Sequence, residues 1–162
     1  MAKYTRLHNN ANVLCMGARV IGPCLAMDIL DAFLDAEYEG GRHQRRVDLV
    51  NQIRKNHGLN PLTVNWQLSR VARYKSQDML DKKYFSHTSP TYGSPFDMIK
   101  AFNISYRTAG ENIAMGYTTP SAVVNGWMNS TGHRANILNA NFTQIGVGYV
   151  ANGHYWTQMF IG

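Results

Sequence analysis

Three side chains in the C-terminal two thirds of the sequence could perform chemistry together: His87, Glu111 and His133. Glu111 is the only glutamate in that part of the chain. His87 precedes a loop rich in proline and glycine, and His133 follows a glycine, so both rings could face a cleft. Two imidazoles and a carboxylate suffice to hold a divalent metal or to perform acid/base chemistry near neutral pH. The alternative is two histidines with ordinary hydrogen bonds and a capping glutamate.

Two predicted helices lead to His87. From Val47 the apolar spacing is helical and ends near residues 56–58, where His57 is expected to cap the C-terminus. A second helix follows Pro61, and its far end delivers His87. Its apolar stripe comprises Leu68, Val71, Ala72 and Met79, with Arg70, Arg73 and Lys82 predicted to point outward.

Two short helices carry a start signal in which a hydroxyl side chain precedes proline. Ser94-Pro95 starts the first, with Phe96, Ile99 and Phe102 predicted to face inward. Thr119-Pro120 starts the second, which places Trp127 in the core.

The C-terminus predicts an antiparallel β-hairpin. Residues 145–150 alternate in hydropathy, Asn152-Gly153 favours a two-residue turn, and residues 154–160 form the return strand. His154, beside the turn, is expected to be exposed and inert. Helices followed by strands indicate an α+β fold, with helices on both faces of a small antiparallel sheet.

The first 46 residues predict a strand-helix fragment. Residues 13–16 are a short apolar run that predicts a buried strand ended by Gly17. Gly22-Pro23 opens a helix that Gly40-Gly41 should close. One strand and one helix are too little to bury an apolar face. We therefore divide the chain into residues 1–46 and 47–162.

Charge is uneven along the 162 residues. The formal net charge is +6, and residues 47–162 contribute +5 of it. This favours contact with anionic cell-envelope material, although basic residues that serve only solubility are the alternative. No nucleic-acid-binding motif is present, so no nucleic-acid partner is predicted.

Neither a disulfide framework nor a membrane signal is predicted for the C-terminal part. Cys15 and Cys24 both precede residue 47, so this part must depend on its own core. The N-terminus lacks the basic-then-apolar arrangement of a signal peptide, and no transmembrane span is predicted.

Six ordered motifs between Val47 and Gly162 resemble the CAP superfamily of cysteine-rich secretory, antigen 5 and pathogenesis-related proteins, in its short, cysteine-free bacterial (SCP-like) branch. They occupy residues 85–87, 110–114, 127–130, 132–138, 145–148 and 155–158. The resemblance implies an α-β-α sandwich, mostly exported, with a cavity of two His and two Glu. His87, Glu111 and His133 match three of these, and Ser130 stands near the place of the missing second Glu.

Residues 4–47 resemble the C-terminal third of B-type ribose-5-phosphate isomerase. That resemblance places His8 and Asn9 at a sugar site and Arg42 and Arg46 at a phosphate, and two arginines one helical turn apart suit a phosphate. The first two thirds of that enzyme, with its reactive cysteine, have no counterpart here. The segment is therefore interpreted as a non-functional remnant.

The sequence supports a hypothesis with two alternatives. The favoured one is a non-enzymatic CAP domain at the cell envelope or outside the cell. Its cleft would hold zinc or another divalent cation through His87 and His133 and would bind lipid, glycan or a protein partner. One alternative is a metal- or His-dependent hydrolase in which Glu111 orients a histidine base and Ser86 or Ser130 lies nearby. The other is a remnant of a sugar-phosphate isomerase. For localisation, the alternative to the cell envelope or the outside of the cell is the cytoplasm.

Overall fold

The computed structural model describes residues 13–17, 21–34 and 41–162, and it divides the chain into two compact units, residues 1–45 and 46–162. In chain order the helices and strands are α1 (Pro23–Leu34), α2 (Gly41–Asn56), β1 (Thr63–Val64), α3 (Trp66–Asp81), α4 (Pro95–Ala101), β2 (Ala109–Ala114), α5 (Pro120–Met128), α6 (Thr131–Ile137), β3 (Gln144–Val150) and β4 (Tyr155–Ile161).

The N-terminal unit contains helix α1, which begins at Pro23 as predicted. The strand predicted at residues 13–16 is wrong, since this run has no regular secondary structure and Val13 is 69% exposed. A strand needs a neighbour to take up its backbone hydrogen bonds, and none of the described residues pairs with it. The predicted closing pair Gly40-Gly41 lies partly outside the described residues, and Gly41 begins α2.

Helix α2 begins six residues before Val47, the position from which the apolar spacing predicts a helix. It ends at Asn56, and the His57 ring donates from Nδ1 to the carbonyl oxygen of Ile53 at 2.9 Å. The predicted C-terminal cap is thus confirmed.

The sheet has four strands in the order β1-β3-β4-β2. Strands β3 and β4 form the predicted antiparallel hairpin, with Val150 opposite Tyr155. Strand β2 lies antiparallel to β4 on the other side, and the short β1 lies parallel to β3. Strand β2, which holds Glu111, was not predicted.

The predicted two-residue turn is wrong. Because Val150 pairs with Tyr155, four residues connect the strands, and Gly153 and His154 both have positive φ. His154 is half-buried, and its Nδ1 lies 2.7 Å from the Tyr149 hydroxyl. The expected exposure of this ring is therefore also wrong, because the turn folds the ring back onto the hairpin.

Helices cover both faces of the sheet, which confirms the predicted α-β-α sandwich. One face packs against α3 and α4, and the other against α2, α5 and α6. The first core comprises Leu68, Val71, Ala72, Met98, Ile99, Ile104, Met159 and Ile161. The second includes Val47, Val50, Val123, Val124, Trp127, Ile137, Ile145, Val147, Trp156 and Phe160. Alternate residues of β4 contribute to the two cores, as its pleat requires.

Helix α3 lies unusually close to β3 because two strand residues are glycines. A Cβ atom on Gly146 would lie 2.3 Å from the Leu68 backbone, and one on Gly148 would lie 2.2 Å from that of Ala72. The Val147 N–H also donates to the Ser69 hydroxyl at 3.2 Å. This close contact fixes the helix that leads to His87.

Both predicted helix starts are confirmed. Ser94 forms a capping box with Asp97 before α4, and Thr119 caps α5 through the Ala122 N–H. Phe96, however, is 45% exposed, so its predicted inward position is wrong. Ile99 is buried as predicted, and Met98 rather than Phe96 completes the buried face of α4. Across the described residues, no helix is long and apolar enough to cross a membrane.

Candidate functional site

Asp78, buried near the end of α3, anchors the loop that follows this helix. Its carboxylate accepts hydrogen bonds from the hydroxyls of Tyr84, Ser89 and Thr91 at 2.5, 2.7 and 2.6 Å. Burial raises the pKa of Asp78, but these bonds and the Lys75 charge outweigh it and hold the pKa below its usual range. The loop is therefore held at three points by one ionised carboxylate.

Lys75 fixes the position of the His87 backbone. The lysine is buried, and its Nζ donates to the backbone carbonyl of His87 at 2.6 Å. Its ammonium also lies 5.2 Å from the ring centroid of Tyr84. Burial lowers the pKa of Lys75, and the negative charges of Glu111 and Asp78 oppose that shift only in part.

The His87 ring meets Glu111 on β2. Its Nδ1 lies 2.7 Å from Oε1 of Glu111, whose side chain is 2% exposed while that of His87 is 53% exposed. A carboxylate on Nδ1 favours the tautomer with the proton there, which leaves Nε2 as a lone-pair donor in the neutral ring. The second carboxylate oxygen, Oε2, is buried without a hydrogen-bond partner among the described residues.

A network of side-chain amides joins β2 to α6, the helix of His133. Asn112 donates from Nδ2 to the His133 carbonyl at 3.1 Å and to Oε1 of Gln158 at 3.2 Å. Asn136 donates to the Glu111 carbonyl at 3.1 Å and to Oδ1 of Asn112 at 2.8 Å. Glu111 and His133 are therefore held on adjoining, cross-linked elements.

His133 is half-buried, and its ring is electrostatically linked to that of His87. Burial lowers the pKa of His133, and the charge of His87 lowers it further. The imidazole of His133 is accordingly neutral at pH 7. A neutral ring can donate a lone pair to a metal, whereas a protonated ring cannot.

A groove of about 330 Å³ adjoins His133. Its wall is largely apolar, and Phe85 and Met115 are each 48% exposed. The lining residues are Phe85, Ile113, Ala114, Met115, Tyr117, Gly126, Trp127, Ser130 and His133. We call this the histidine groove.

The structure thus brings His87 and Glu111 into contact and places His133 and Ser130 on the groove wall. Ser86 accepts a hydrogen bond from the Thr88 N–H at 3.2 Å. Within the described ranges, no serine hydroxyl is hydrogen-bonded to either ring. In the same ranges no three His, Cys, Asp or Glu side chains come together as a metal site.

Comparison with known families matches residues 47–160 to the cysteine-rich secretory protein (CAP) family, which covers more than half of the chain. The chain belongs to the CAP family. Residues 1–50 separately match the ribose/galactose isomerase family. The two matches overlap at residues 47–50, inside helix α2.

Curated relatives divide in the same way. The uncharacterized protein YkwD of Bacillus subtilis is 66% identical over 116 residues, 72% of this chain and 45% of its own length. The uncharacterized membrane protein YlbC of the same species is 44% identical over 115 residues, 71% of this chain and 33% of its length. Ribose-5-phosphate isomerase B of Escherichia coli is 54% identical over 52 residues, 32% of this chain and 35% of the enzyme. The chain therefore spans less than half the length of each of these relatives.

A solved structure supports the CAP assignment. An extracellular protein with an SCP domain from Bacillus anthracis superimposes with a TM-score of 0.71 at 37% identity. The superposition covers 97% of this chain and 49% of that protein. The similar proteins thus include one described as extracellular and one described as a membrane protein.

The residues carried over from the isomerase resemblance give no described sugar-phosphate site. His8, Asn9 and the Arg42 side chain lie outside the described residues. The Arg46 guanidinium is buried in the CAP unit, where it lies 4.9 Å from the ring centroid of Tyr149 and 5.0 Å from that of Trp156. It packs on two aromatic faces there.

Lys75 and Asp78 are the functional residues that the sequence reasoning missed. A signal was present, because Lys75 stands four residues from both Val71 and Met79, in the middle of an apolar stripe. A charged residue on a buried helical face requires a partner. Here that partner is the backbone of the loop that carries His87.

Proposed function

We propose that the CAP unit is a non-enzymatic binding module of the cell envelope whose histidine groove takes a ligand with an apolar portion beside a divalent cation. The observation that carries the proposal is the His87–Glu111 pair, in which a buried carboxylate orients an exposed ring. This carboxylate–histidine arrangement is the usual support of a metal-binding imidazole.

His87 and His133 would hold the cation. Nε2 of His87 keeps its lone pair because Glu111 occupies Nδ1, and the lowered pKa of His133 keeps that ring neutral. Two imidazoles fit zinc in donor type but supply only half of a tetrahedral site. The cation would therefore bind weakly and would supply open positions for a polar group of the ligand.

The walls of the groove define the rest of the ligand. Phe85, Met115 and Tyr117 are exposed around it, and Trp127 forms part of its wall. Its volume lies at the lower end of the range for small-molecule pockets, roughly 300–1,000 Å³. A lipid chain with a polar head matches such a mixed surface best, ahead of a glycan or a protein partner.

The contacts favour binding over hydrolysis. A serine hydrolase needs its hydroxyl within reach of a ring nitrogen that a carboxylate orients. Glu111 does orient His87, but the Ser86 hydroxyl instead accepts from a backbone N–H. Ser130 lies on the groove wall, but among the described residues its hydroxyl is hydrogen-bonded to neither histidine ring.

Calorimetric titration of the full chain with zinc tests the proposal. We expect His133→Ala to abolish binding, because one remaining imidazole holds zinc feebly. We expect Glu111→Gln to weaken it about tenfold, the lower end of the effect of removing a supporting carboxylate. His57→Ala removes a ring that caps α2 and serves as the control. Equal affinity in the wild type and His133→Ala would place the cation elsewhere.

The pH dependence of zinc binding should follow the same two rings. Because both must be neutral to donate, zinc affinity should fall as the pH drops through about 6–7, the usual imidazole range. Because the pKa of His133 is lowered, its share of the loss should come at a lower pH than that of an ordinary imidazole. Zinc affinity that is flat between pH 7.5 and 5 would contradict binding by imidazoles.

A further inference from the structure

A second pocket lies on the outward face of α3, where the helix meets the end of β3. Its volume is about 430 Å³. It has no lining residue in common with the histidine groove. The lining residues are Arg70, Arg73, Tyr74, Gln77, Tyr149 and Val150. We call this the arginine pocket.

The two arginines of this pocket carry uncompensated charge. Among the described residues, neither Arg70 nor Arg73 forms an ion pair with a carboxylate. Asp81, two turns beyond Arg73, accepts a hydrogen bond from the Gln77 amide at 2.8 Å. No acidic side chain lines the pocket.

Two aromatic rings hold the Arg70 guanidinium in place. The Arg70 guanidinium lies 5.8 Å from the ring centroid of Tyr74 and 5.6 Å from that of Phe102. A guanidinium that rests on aromatic faces keeps its N–H groups directed sideways and loses less freedom when a ligand binds. The pocket thus combines one positioned guanidinium with a second, exposed one.

We propose that the arginine pocket binds a phosphate group carried by a polyol or sugar. A bidentate guanidinium uses one lone pair on each oxygen of a carboxylate, whereas a phosphate monoester presents three free oxygens, so that two guanidinium groups can bind it without sharing the same pair of oxygens. Arg70 and Arg73, three residues apart on one helix face, present two such groups. The Tyr74 ring and the Gln77 amide supply a flat apolar face and a polar group for the polyol or sugar.

Titration of the full chain with three probes, followed by ¹H–¹⁵N NMR, tests this proposal. The probes are inorganic phosphate, glycerol 3-phosphate and a short poly(glycerol phosphate). We expect the backbone signals of Tyr74 and Val150 to shift with the phosphate esters, and Arg70→Gln/Arg73→Gln to weaken that binding at least tenfold. Lys55→Gln/Arg107→Gln removes two exposed charges outside the pocket and should change affinity less than twofold.

Two further comparisons keep the outcome decisive. Arg73→Gln alone leaves the packed Arg70 in place and should still weaken binding several-fold, so a folding defect of the double variant would not obscure the result. Binding of glycerol 3-phosphate and of the polymer with equal affinity per site would identify a small phosphate ester as the ligand, and binding of the polymer alone would identify a polymer. Equal loss in the pocket and control variants, or binding of inorganic phosphate alone, would overturn the proposal.

Discussion

The two regions of this chain both match known families, yet only the CAP unit closes apolar cores among its described residues. In the CAP unit, helices cover both faces of a four-stranded sheet and two apolar cores are closed. In the N-terminal unit, helix α1 is the one complete helix among the described residues, and its Leu25, Met27 and Leu34 are more than half exposed. Residues 13–16 form no strand, because a strand depends on pairing with a neighbour.

Truncating a large apolar side chain should lower the free energy of unfolding far more in the CAP unit than in helix α1. Trp156 is fully buried, and its Nε1 donates to the Tyr117 carbonyl at 2.7 Å. We expect Trp156→Ala to lower the free energy of unfolding of the CAP unit by about 4 kcal/mol. Leu34→Ala, in the exposed part of α1, should change it by less than about 0.5 kcal/mol. Similar losses in a urea titration of both variants would remove the contrast.

A buried charge should matter nearly as much as a core aromatic residue. Lys75→Met would leave the His87 carbonyl without its donor and Asp78 and Glu111 without their cation. We expect the free energy of unfolding to fall by about 3 kcal/mol, because removing one partner leaves buried polar groups without their interactions. Zinc affinity should fall as well. Lys55→Met, at an exposed lysine of α2, is the control, and equal stability of the two variants would contradict a role for Lys75 beneath His87.

The smallest effect is expected from removal of the N-terminal unit. A chain that begins at Arg46 keeps both cores of the CAP unit, so it should melt cooperatively, with a free energy of unfolding within about 1 kcal/mol of that of the full chain. Differential scanning calorimetry would check this. Loss of the cooperative transition would mean that residues 1–45 complete the CAP core, and the two regions would then not be independent.

Sequence patterns predicted those elements whose ends or faces carry a local signal. A serine or threonine followed by proline marked the starts of α4 and α5, and alternating hydropathy marked β3. Strand β2 was not predicted, because five of its six residues are buried and the alternation that marks a half-exposed strand is therefore absent. The turn at Asn152-Gly153 was misjudged because its four-residue length depends on pairing between Val150 and Tyr155, which the local sequence does not specify.

The candidate site depended on family resemblance, since spacing alone cannot bring His87 beside Glu111, 24 residues away. Pattern could have added Lys75, which interrupts the apolar stripe of α3. No local pattern could have shown the role of Asn112 and Asn136, because their bonds link β2 to α6 through tertiary contacts. Long-range polar networks are set by the fold and become visible only with it.

We propose that Glu111 holds His87 so that its Nε2, together with His133, receives a cation at the histidine groove. Long-range ¹H–¹⁵N spectra of the histidine rings during zinc titration test it directly. We predict that His87 is protonated on Nδ1 before zinc is added, and that on titration the Nε2 resonance of His87 and one ring nitrogen of His133 shift while His57 and His154 do not. Metal-dependent shifts at other histidines, or no shift at His87, would contradict the account.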